Sequence, residues 1–355
     1  MSLSSERIVP IPTDLAELQS PQWLNTALAE RFPGVQITKV TPGPIVSRVS
    51  TNARFEIEAA GGLPEGLSAH LCGKGYFTEG GAAARAVGAF EVYFYRDLAH
   101  ATGVRTLNSL YADVDPRTHD SVVITEDVVA QGARFLDPTS EYGPERVAES
   151  LAQLARLHAA TWLSPKIADT PWLAPRLHTL CGLMSAEVIR KINFETEVGA
   201  GVPAEVRDAD RLVAAYRALA DQTAAAPVWS VIHGDAHVGN LYLEADGRPA
   251  LLDWQLTQRG PWYLDVGYHL GSTLSPGERR THEKDLLRHY LDELRAGGVE
   301  PPAWDAAWRD LRGGILHGFY LWGITQIVRP EVRAELLHRL GSAAADHDVF
   351  ALVGL

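Results

Sequence analysis

The sequence predicts an α+β protein of two lobes, a smaller one built on an antiparallel sheet and a larger, mainly helical one. Apolar, strand-like runs crowd the first 127 residues, whereas helical periodicity dominates residues 128–355. With 355 residues, 46% hydrophobic and 21% charged, the chain is long enough for two cores and too apolar to stay disordered. The boundary is placed after Asp127, giving lobes 1–127 and 128–355.

Thr13-Asp14 offers a cap for an opening helix whose apolar positions Leu15, Leu18, Trp23, Leu24 and Leu28 run to a stop at Phe32-Pro33-Gly34. Strands follow at Val35–Val40 and Arg54–Ala60, and the loop Gly61–Gly66 leads to a third, Leu67–Lys74. After a turn at Gly80-Gly81 the pattern becomes helical from Ala82 to Ala99, with Val87, Phe90, Phe94 and Leu98 at helical spacing and Glu91 on the same helix. Val122–Val128 reads as an apolar strand running into the acidic pair Glu126-Asp127.

Beyond it Pro144 starts a helix to Trp162, with Val147, Leu151, Leu154, Ala155 and His158 on one face, where His158 is expected as a packed core histidine. Helices are expected at Leu180–Ile192 and Ala204–Ala220, around a looser stretch at Glu195–Pro203. Others are expected at Pro276–Ala296 and Trp304–Trp322.

The most informative stretch lies between the helices. A strand, Val228–Ile232, delivers His233-Gly234-Asp235-Ala236-His237-Val238-Gly239-Asn240. A short strand at Leu241–Leu243, a turn at Asp246-Gly247 and the run Ala250-Leu251-Leu252 bring the chain back to Asp253, beside Asn240. Asp235 and Asn240 stand five positions apart, the interval between base and metal-binding amide in H-R-D-x-x-x-x-N. Transfer of a γ-phosphoryl group to an alcohol needs a carboxylate at the attacking hydroxyl and oxygen ligands for magnesium, and this loop supplies both. Lys74 and Glu91, ordinary residues in isolation, precede it in the order in which kinases place their phosphate-holding lysine and its carboxylate partner.

Taken together, Lys74, the Phe90–Leu98 helix, Thr125-Glu126-Asp127, Leu154–His158, the His233–Asn240 loop and Asp253-Trp254-Gln255 resemble the aminoglycoside and choline kinase-like phosphotransferases. The likeness is nearest to their ecdysteroid-kinase-like branch and runs from about Val35 to His317. The resemblance implies a protein-kinase-like fold whose first lobe binds nucleotide and whose second lobe carries catalysis and the acceptor. It makes Asp235 the catalytic base and Asn240 and Asp253 the Mg2+ ligands, and it puts Lys74 on the phosphates with Glu91 orienting it. Glu126 and Val128 would face the base of ATP or GTP. Ser47 and Arg48 would grip phosphate from a loop, Pro42–Ser50, that lacks G-x-G-x-x-G. His233 would brace the catalytic loop, and Asp265 would cap the apolar helix that follows it, Val266–Leu270. Gln255, Arg259, Trp262, His317 and Trp322 are the candidates for the acceptor wall.

Departures from protein kinases favour a small-molecule acceptor. Gly234 replaces the loop arginine, Gln255 stands where D-F-G has glycine, and no A-P-E segment follows. The expected reaction is Mg2+-dependent transfer from ATP or GTP to a hydroxyl of a natural product, an antibiotic or a sterol-like alcohol. A nucleotide-binding module without turnover is the alternative, and a metal-dependent hydrolase using His233, Asp235 and His237 is a third reading.

The net charge of −12 argues against a nucleic-acid partner, whose phosphates call for clustered Lys and Arg. The two cysteines, Cys72 and Cys181, suit free core thiols. No apolar run approaches the roughly 20 residues of a membrane span. With no signal-like N-terminus, a cytoplasmic enzyme is expected.

Overall fold

The computed structural model describes residues 9–78, 81 and 85–355, which form two compact units. The first comprises the chain to Ala101 and Thr106–Ala133, and the second Thr102–Arg105 and Arg134–Leu355. The fold class is α+β, with an antiparallel sheet in the first unit and mostly helix in the second.

The expected opening helix is two short ones, α1 (Leu15–Leu18) and α2 (Pro21–Leu28). Local chemistry explains the break. The Asp14 side chain accepts the amide of Glu17 and starts α1, whereas Ser20 accepts the amide of Trp23 and, with Pro21 behind it, starts α2 afresh. The sheet consists of β1 (Ile37–Ser47), β2 (Thr51–Ala59), β3 (His70–Gly75), β4 (Ser109–Val114) and β5 (Ser121–Glu126) in the order β1-β2-β3-β5-β4. Every neighbour is antiparallel. β4 has no counterpart in the sequence reading, because Ser109–Val114 mixes Ser, Ala and Asp into its apolar positions. β1 runs well past Val40 despite Pro42 and Pro44, since it is an edge strand and its register shifts between Pro42 and Ile45. Leu18, Trp23, Leu24 and Leu28 close a core with Phe55, Ile57, Leu71 and Ile124.

Gly80 and Ala82–Ala84, part of the expected turn and helix start, lie outside the described residues. From Arg85 the helix is as expected, α3 (Arg85–Tyr93), and it passes into a π-helical turn, Phe94–Leu98.

In the second unit α4 (Pro144–Thr161) matches its prediction, with Val147, Leu151, Leu154, Ala155 and His158 all buried. The helix expected at 180–192 is instead three short turns, Leu177–Cys181, Ala186–Ile189 and a π turn at Arg190–Phe194. α5 is Ala209–Ala224, started by Asp208, whose side chain accepts the amide of Arg211. Two small sheets follow. β6 (Arg134–Phe135), β8 (Leu241–Leu243) and β9 (Pro249–Leu251) order as β6-β8-β9, and β7 (Ser230–Ile232) pairs with β10 (Gln258–Gly260).

The chain ends in α6 (Tyr263–Thr273), α7 (Pro276–Ala296), α8 (Trp304–Ile324) and α9 (Pro330–Asp346). A Ser275–Glu278 capping box with Pro276 starts α7 sharply. α6 and α8 meet backbone to backbone at Gly267 and Gly314, where a Cβ on Gly314 would sit 1.9 Å from the Tyr263 carbonyl oxygen. Both cysteines are free thiols, and among the described residues no helix is long and apolar enough to cross a membrane.

Candidate active site

The loop after β7 is built from its backbone outward. His233 is fully buried, and its Nε2 donates to the Leu252 carbonyl at 2.9 Å while Nδ1 accepts the amide of Asp235 at 3.2 Å. Gly234 follows with φ +80°, and a Cβ there would lie 2.3 Å from the carbonyl oxygen of Leu256. Glycine is required at this position on both counts, which explains why the arginine of protein kinases is missing.

Asp265 ties the loop from α6. Its Oδ2 accepts the amide of His233 at 2.7 Å and Nε2–H of His158 at 3.1 Å, and its Oδ1 accepts the amide of Gly234 at 2.8 Å. The expectation that Asp265 caps a helix at Val266 is corrected here. α6 already begins at Tyr263 with Trp262 at the N-cap position, so Asp265 sits inside the first turn and turns its carboxylate to the amides of the loop. Burial pushes the Asp265 carboxyl up, but His158, His233 and the loop amides outweigh it and hold the group below the ordinary value.

Asp235 and Asn240 meet directly. Asn240 Nδ2 donates to Asp235 Oδ2 at 3.0 Å and to the Asp235 backbone oxygen at 2.9 Å, so its Oδ1 is the oxygen left for a cation. The β8–β9 hairpin, in register Leu241↔Leu251, lets Leu252 donate its amide to the Asn240 carbonyl at 3.0 Å, and Asp253 comes next in the chain. Asp253 holds a left-handed backbone, φ 65° and ψ 69°, a conformation that costs a non-glycine residue about 1 kcal/mol or more. Trp254 fixes the turn from behind, fully buried against the His233 ring at 4.5 Å.

The hydrolase reading fails on the same geometry. Both ring nitrogens of His233 are committed to the backbone, and Nδ1 of His237 accepts the amide of Gly239 at 3.0 Å.

In the first unit, Lys74 on β3 and Glu91 on α3 form an ion pair of 2.6 Å, with side-chain exposures of 17% and 4%. A pair this buried contributes little net stability, because desolvation offsets most of the Coulomb attraction. Ser47 and Arg48 stand at the turn between β1 and β2, where Ser47 Oγ meets Thr51 Oγ1 at 3.1 Å and the Arg48 amide donates to the Ser50 carbonyl. Glu126 ends β5. The Val128 carbonyl accepts amides from Gln131 and Ala133, and Asp127, paired with Arg54 at 3.2 Å, anchors this turn.

The acceptor-wall candidates separate. Trp262 is 3% exposed and stacked on Tyr290 at 5.2 Å. His317 is fully buried, accepting from Tyr216 and donating to the Gly234 carbonyl at 2.9 Å. Both are core groups of the second unit, and the expectation that they line an acceptor wall is corrected. Arg259 donates to the Ala168 carbonyl and lies over the Trp229 ring at 5.0 Å. Gln255 is partly exposed, and Trp322 donates its indole N–H to the Tyr268 hydroxyl at 2.7 Å.

Tyr268 has no place in the sequence reading, yet its hydroxyl donates to Asp235 Oδ1 at 3.0 Å. One signal was available: it falls one helical turn after Asp265, on the face that Asp265 turns to the loop.

Known proteins similar to this chain are phosphotransferases and kinases. The model of the phosphotransferase enzyme family (APH) matches residues 90–306, more than half the chain. No curated protein matches in sequence. Among solved structures, the choline kinase LicA from Streptococcus pneumoniae is similar at 13% identity and TM-score 0.48, over 91% of this chain and 98% of that one. A choline/ethanolamine kinase family protein from Mesorhizobium loti is similar at 16% and 0.49, over 88% and 92%. The aminoglycoside phosphotransferase APH(3'')-Id from Streptomyces rimosus is similar at 15% and 0.45, over 84% and 97%. On the match across residues 90–306, the chain belongs to the phosphotransferase enzyme family and is a small-molecule kinase with a kinase-like α+β fold.

Proposed function

We propose that the protein transfers the γ-phosphoryl group of ATP or GTP to a hydroxyl of a natural product, an antibiotic or a sterol-like alcohol. The observation that carries this reading is the Asp235–Asn240 pair, with the amide nitrogen of Asn240 committed to the carboxylate and Asp253 delivered by the hairpin. Asp235 accepts and orients the attacking hydroxyl, and takes its proton as the phosphoryl group arrives. In a loose transition state, orientation counts at least as much as proton removal.

The donor set of Asn240 Oδ1 and the Asp253 carboxylate fits Mg2+, a hard cation that binds through one or two such ligands together with phosphate oxygens and water. Bound there, Mg2+ would neutralise charge on the phosphates. Lys74, held by Glu91, contacts the phosphates. Ser47 and Arg48 offer further grip, and the backbone at Glu126 and Val128 meets the nucleotide base. In this reading residues 1–127 form the nucleotide-binding lobe, with Val128 contributing from just past its boundary, and residues 128–355 carry catalysis and the acceptor. Of the wall candidates, this reading keeps Gln255, which is partly exposed, whereas Arg259 is engaged within its own unit.

The test is calorimetry with ATP and GTP, with and without Mg2+, together with turnover of Asp235→Asn and Asp253→Asn on a panel of hydroxyl compounds read by mass spectrometry. Asp235→Asn should abolish product while leaving nucleotide affinity within about twofold, whereas Asp253→Asn should weaken Mg2+-nucleotide binding by about tenfold or more. Equal loss of nucleotide binding in both variants would reject these roles.

A further inference from the structure

The carboxylate of Asp235 is held from two sides. Asn240, five residues on in the loop, donates to Oδ2, and Tyr268, on α6, donates to Oδ1. His237 Nε2 stands 3.8 Å from Oδ2, beyond hydrogen-bond distance.

The direction of the Tyr268 bond is forced by its other partner. A phenol carries one proton and can point it either way, but the indole N–H of Trp322 is a donor with no acceptor capacity. Trp322 Nε1 lies 2.7 Å from the Tyr268 oxygen, so that oxygen must accept there and its proton is left for Asp235. Tyr268 and Trp322 are both buried, which keeps water from competing for either bond. Burial and the neighbouring Asp235 also push the Tyr268 phenol well above its ordinary pKa, so it remains a donor at any working pH.

Trp322 is itself fixed near the end of α8. Asn193, fully buried in the π turn, donates Nδ2 to the carbonyls of Gly323 at 2.7 Å and Thr325 at 3.2 Å, and its Oδ1 accepts from Arg333 at 3.0 Å. Such single π turns occur often at functional sites, and here the turn serves to aim one amide at a helix end.

We propose that Tyr268 and Trp322 are positioning residues for phosphoryl transfer: Trp322 locks the Tyr268 proton onto Asp235 Oδ1, and the doubly tethered carboxylate presents its remaining lone pairs to the acceptor hydroxyl in one direction. The proposal rests on the reading of Asp235 as the base. It replaces the expectation that Trp322 lines the acceptor wall. Without the Tyr268 hydroxyl the carboxylate would keep only the Asn240 tether and could rotate about its Cβ–Cγ bond, and misplacement on that scale is enough to slow an oriented reaction by an order of magnitude.

The experiment compares Tyr268→Phe, Trp322→Phe, the double variant and Asp235→Asn in the full chain. Phosphate release from Mg·ATP and Mg·GTP is followed with water as the acceptor, alongside the nucleotide KM and the thermal midpoint. Tyr268→Phe keeps the ring and should lower kcat about tenfold with KM within twofold. Trp322→Phe should lower kcat less, and the double variant should be no slower than Tyr268→Phe alone, because Trp322 acts only through the hydroxyl.

Wild-type kcat in Tyr268→Phe, or losses that multiply in the double variant, would overturn the proposal while leaving the base assignment intact if Asp235→Asn is inactive. Wild-type turnover in Asp235→Asn would overturn the base assignment and the proposal with it. Should Tyr268→Phe fail to fold, Trp322→Phe decides alone, with lower kcat at unchanged KM in support and wild-type kcat against.

Discussion

His269 shows how far single side chains around the loop depend on staying neutral. It is fully buried on α6, with Nδ1–H donating to the Ala236 carbonyl at 2.8 Å and Nε2 accepting from the Ser150 hydroxyl at 2.6 Å. Burial, the largest cause, lowers its pKa to about 4 from the usual 6.5. A group depressed in the folded state binds fewer protons there than in the unfolded chain, so its stabilisation is complete above pH 6.5 and is lost as pH falls toward 4. The loss amounts to about 3 kcal/mol by pH 4. Urea unfolding between pH 7 and 4 should show that decline, and His269→Gln should flatten it. Asp265 acts in the same direction at lower pH, since its depressed carboxyl contributes above the unfolded value near 3.8 and loses that contribution on further acidification.

Among the elements, the helix pair α6 and α8 bears most directly on the site, because α6 carries Asp265 and Tyr268 while α8 carries His317 and Trp322. Their approach depends on Gly267 and Gly314. A Cβ on Gly267 would meet the Leu311 carbonyl at 2.2 Å, and one on Gly314 would meet Tyr263 and Gly267 backbone atoms at 1.9 and 2.7 Å. Backbone cannot rotate aside as a side chain can, so Gly314→Ala should destabilise the protein by about 3 kcal/mol. Gly277 in α7 is the control, with nothing within 4 Å of its Cβ, and Gly277→Ala should be neutral or stabilise by about 0.5 kcal/mol. Guanidinium unfolding midpoints of the two variants make the comparison. The helix at 144–161 was legible because its apolar face repeats cleanly. The segment at 177–194 was not, because its three short turns leave no sustained period to read.

For the whole molecule, the two units divide at Ala133, and the segment Thr102–Arg105 joins the second. Its allegiance follows from long-range bonds: Arg105 donates its amide to Gln153 and Nη1 to the Pro249 carbonyl, and its own carbonyl accepts from Leu251. No local pattern in Thr102–Arg105 announces those partners. If the proposed nucleotide reading holds, Mg2+-nucleotide at about 100 times its Kd should stabilise the protein by about 3 kcal/mol, and chelation of Mg2+ should cancel the rise in thermal midpoint. A midpoint that ignores Mg2+ would count against Asn240 and Asp253 as its ligands.

The sequence by itself determined the α+β class, the order of the main strands and helices, and the Asp235-to-Asn240 interval with its returning hairpin. Each of these is written in local periodicity, turn chemistry or fixed spacing, which act over a few residues. Only the tertiary structure decided what surrounds the loop. Asp265 turned from helix cap to loop brace, Trp262 and His317 went to the core, and Tyr268 arrived beside Asp235 with Trp322 bonded to its hydroxyl. Those contacts join residues 31 to 83 positions apart, where a hydrogen bond depends on how whole helices pack and leaves no trace in the neighbouring sequence.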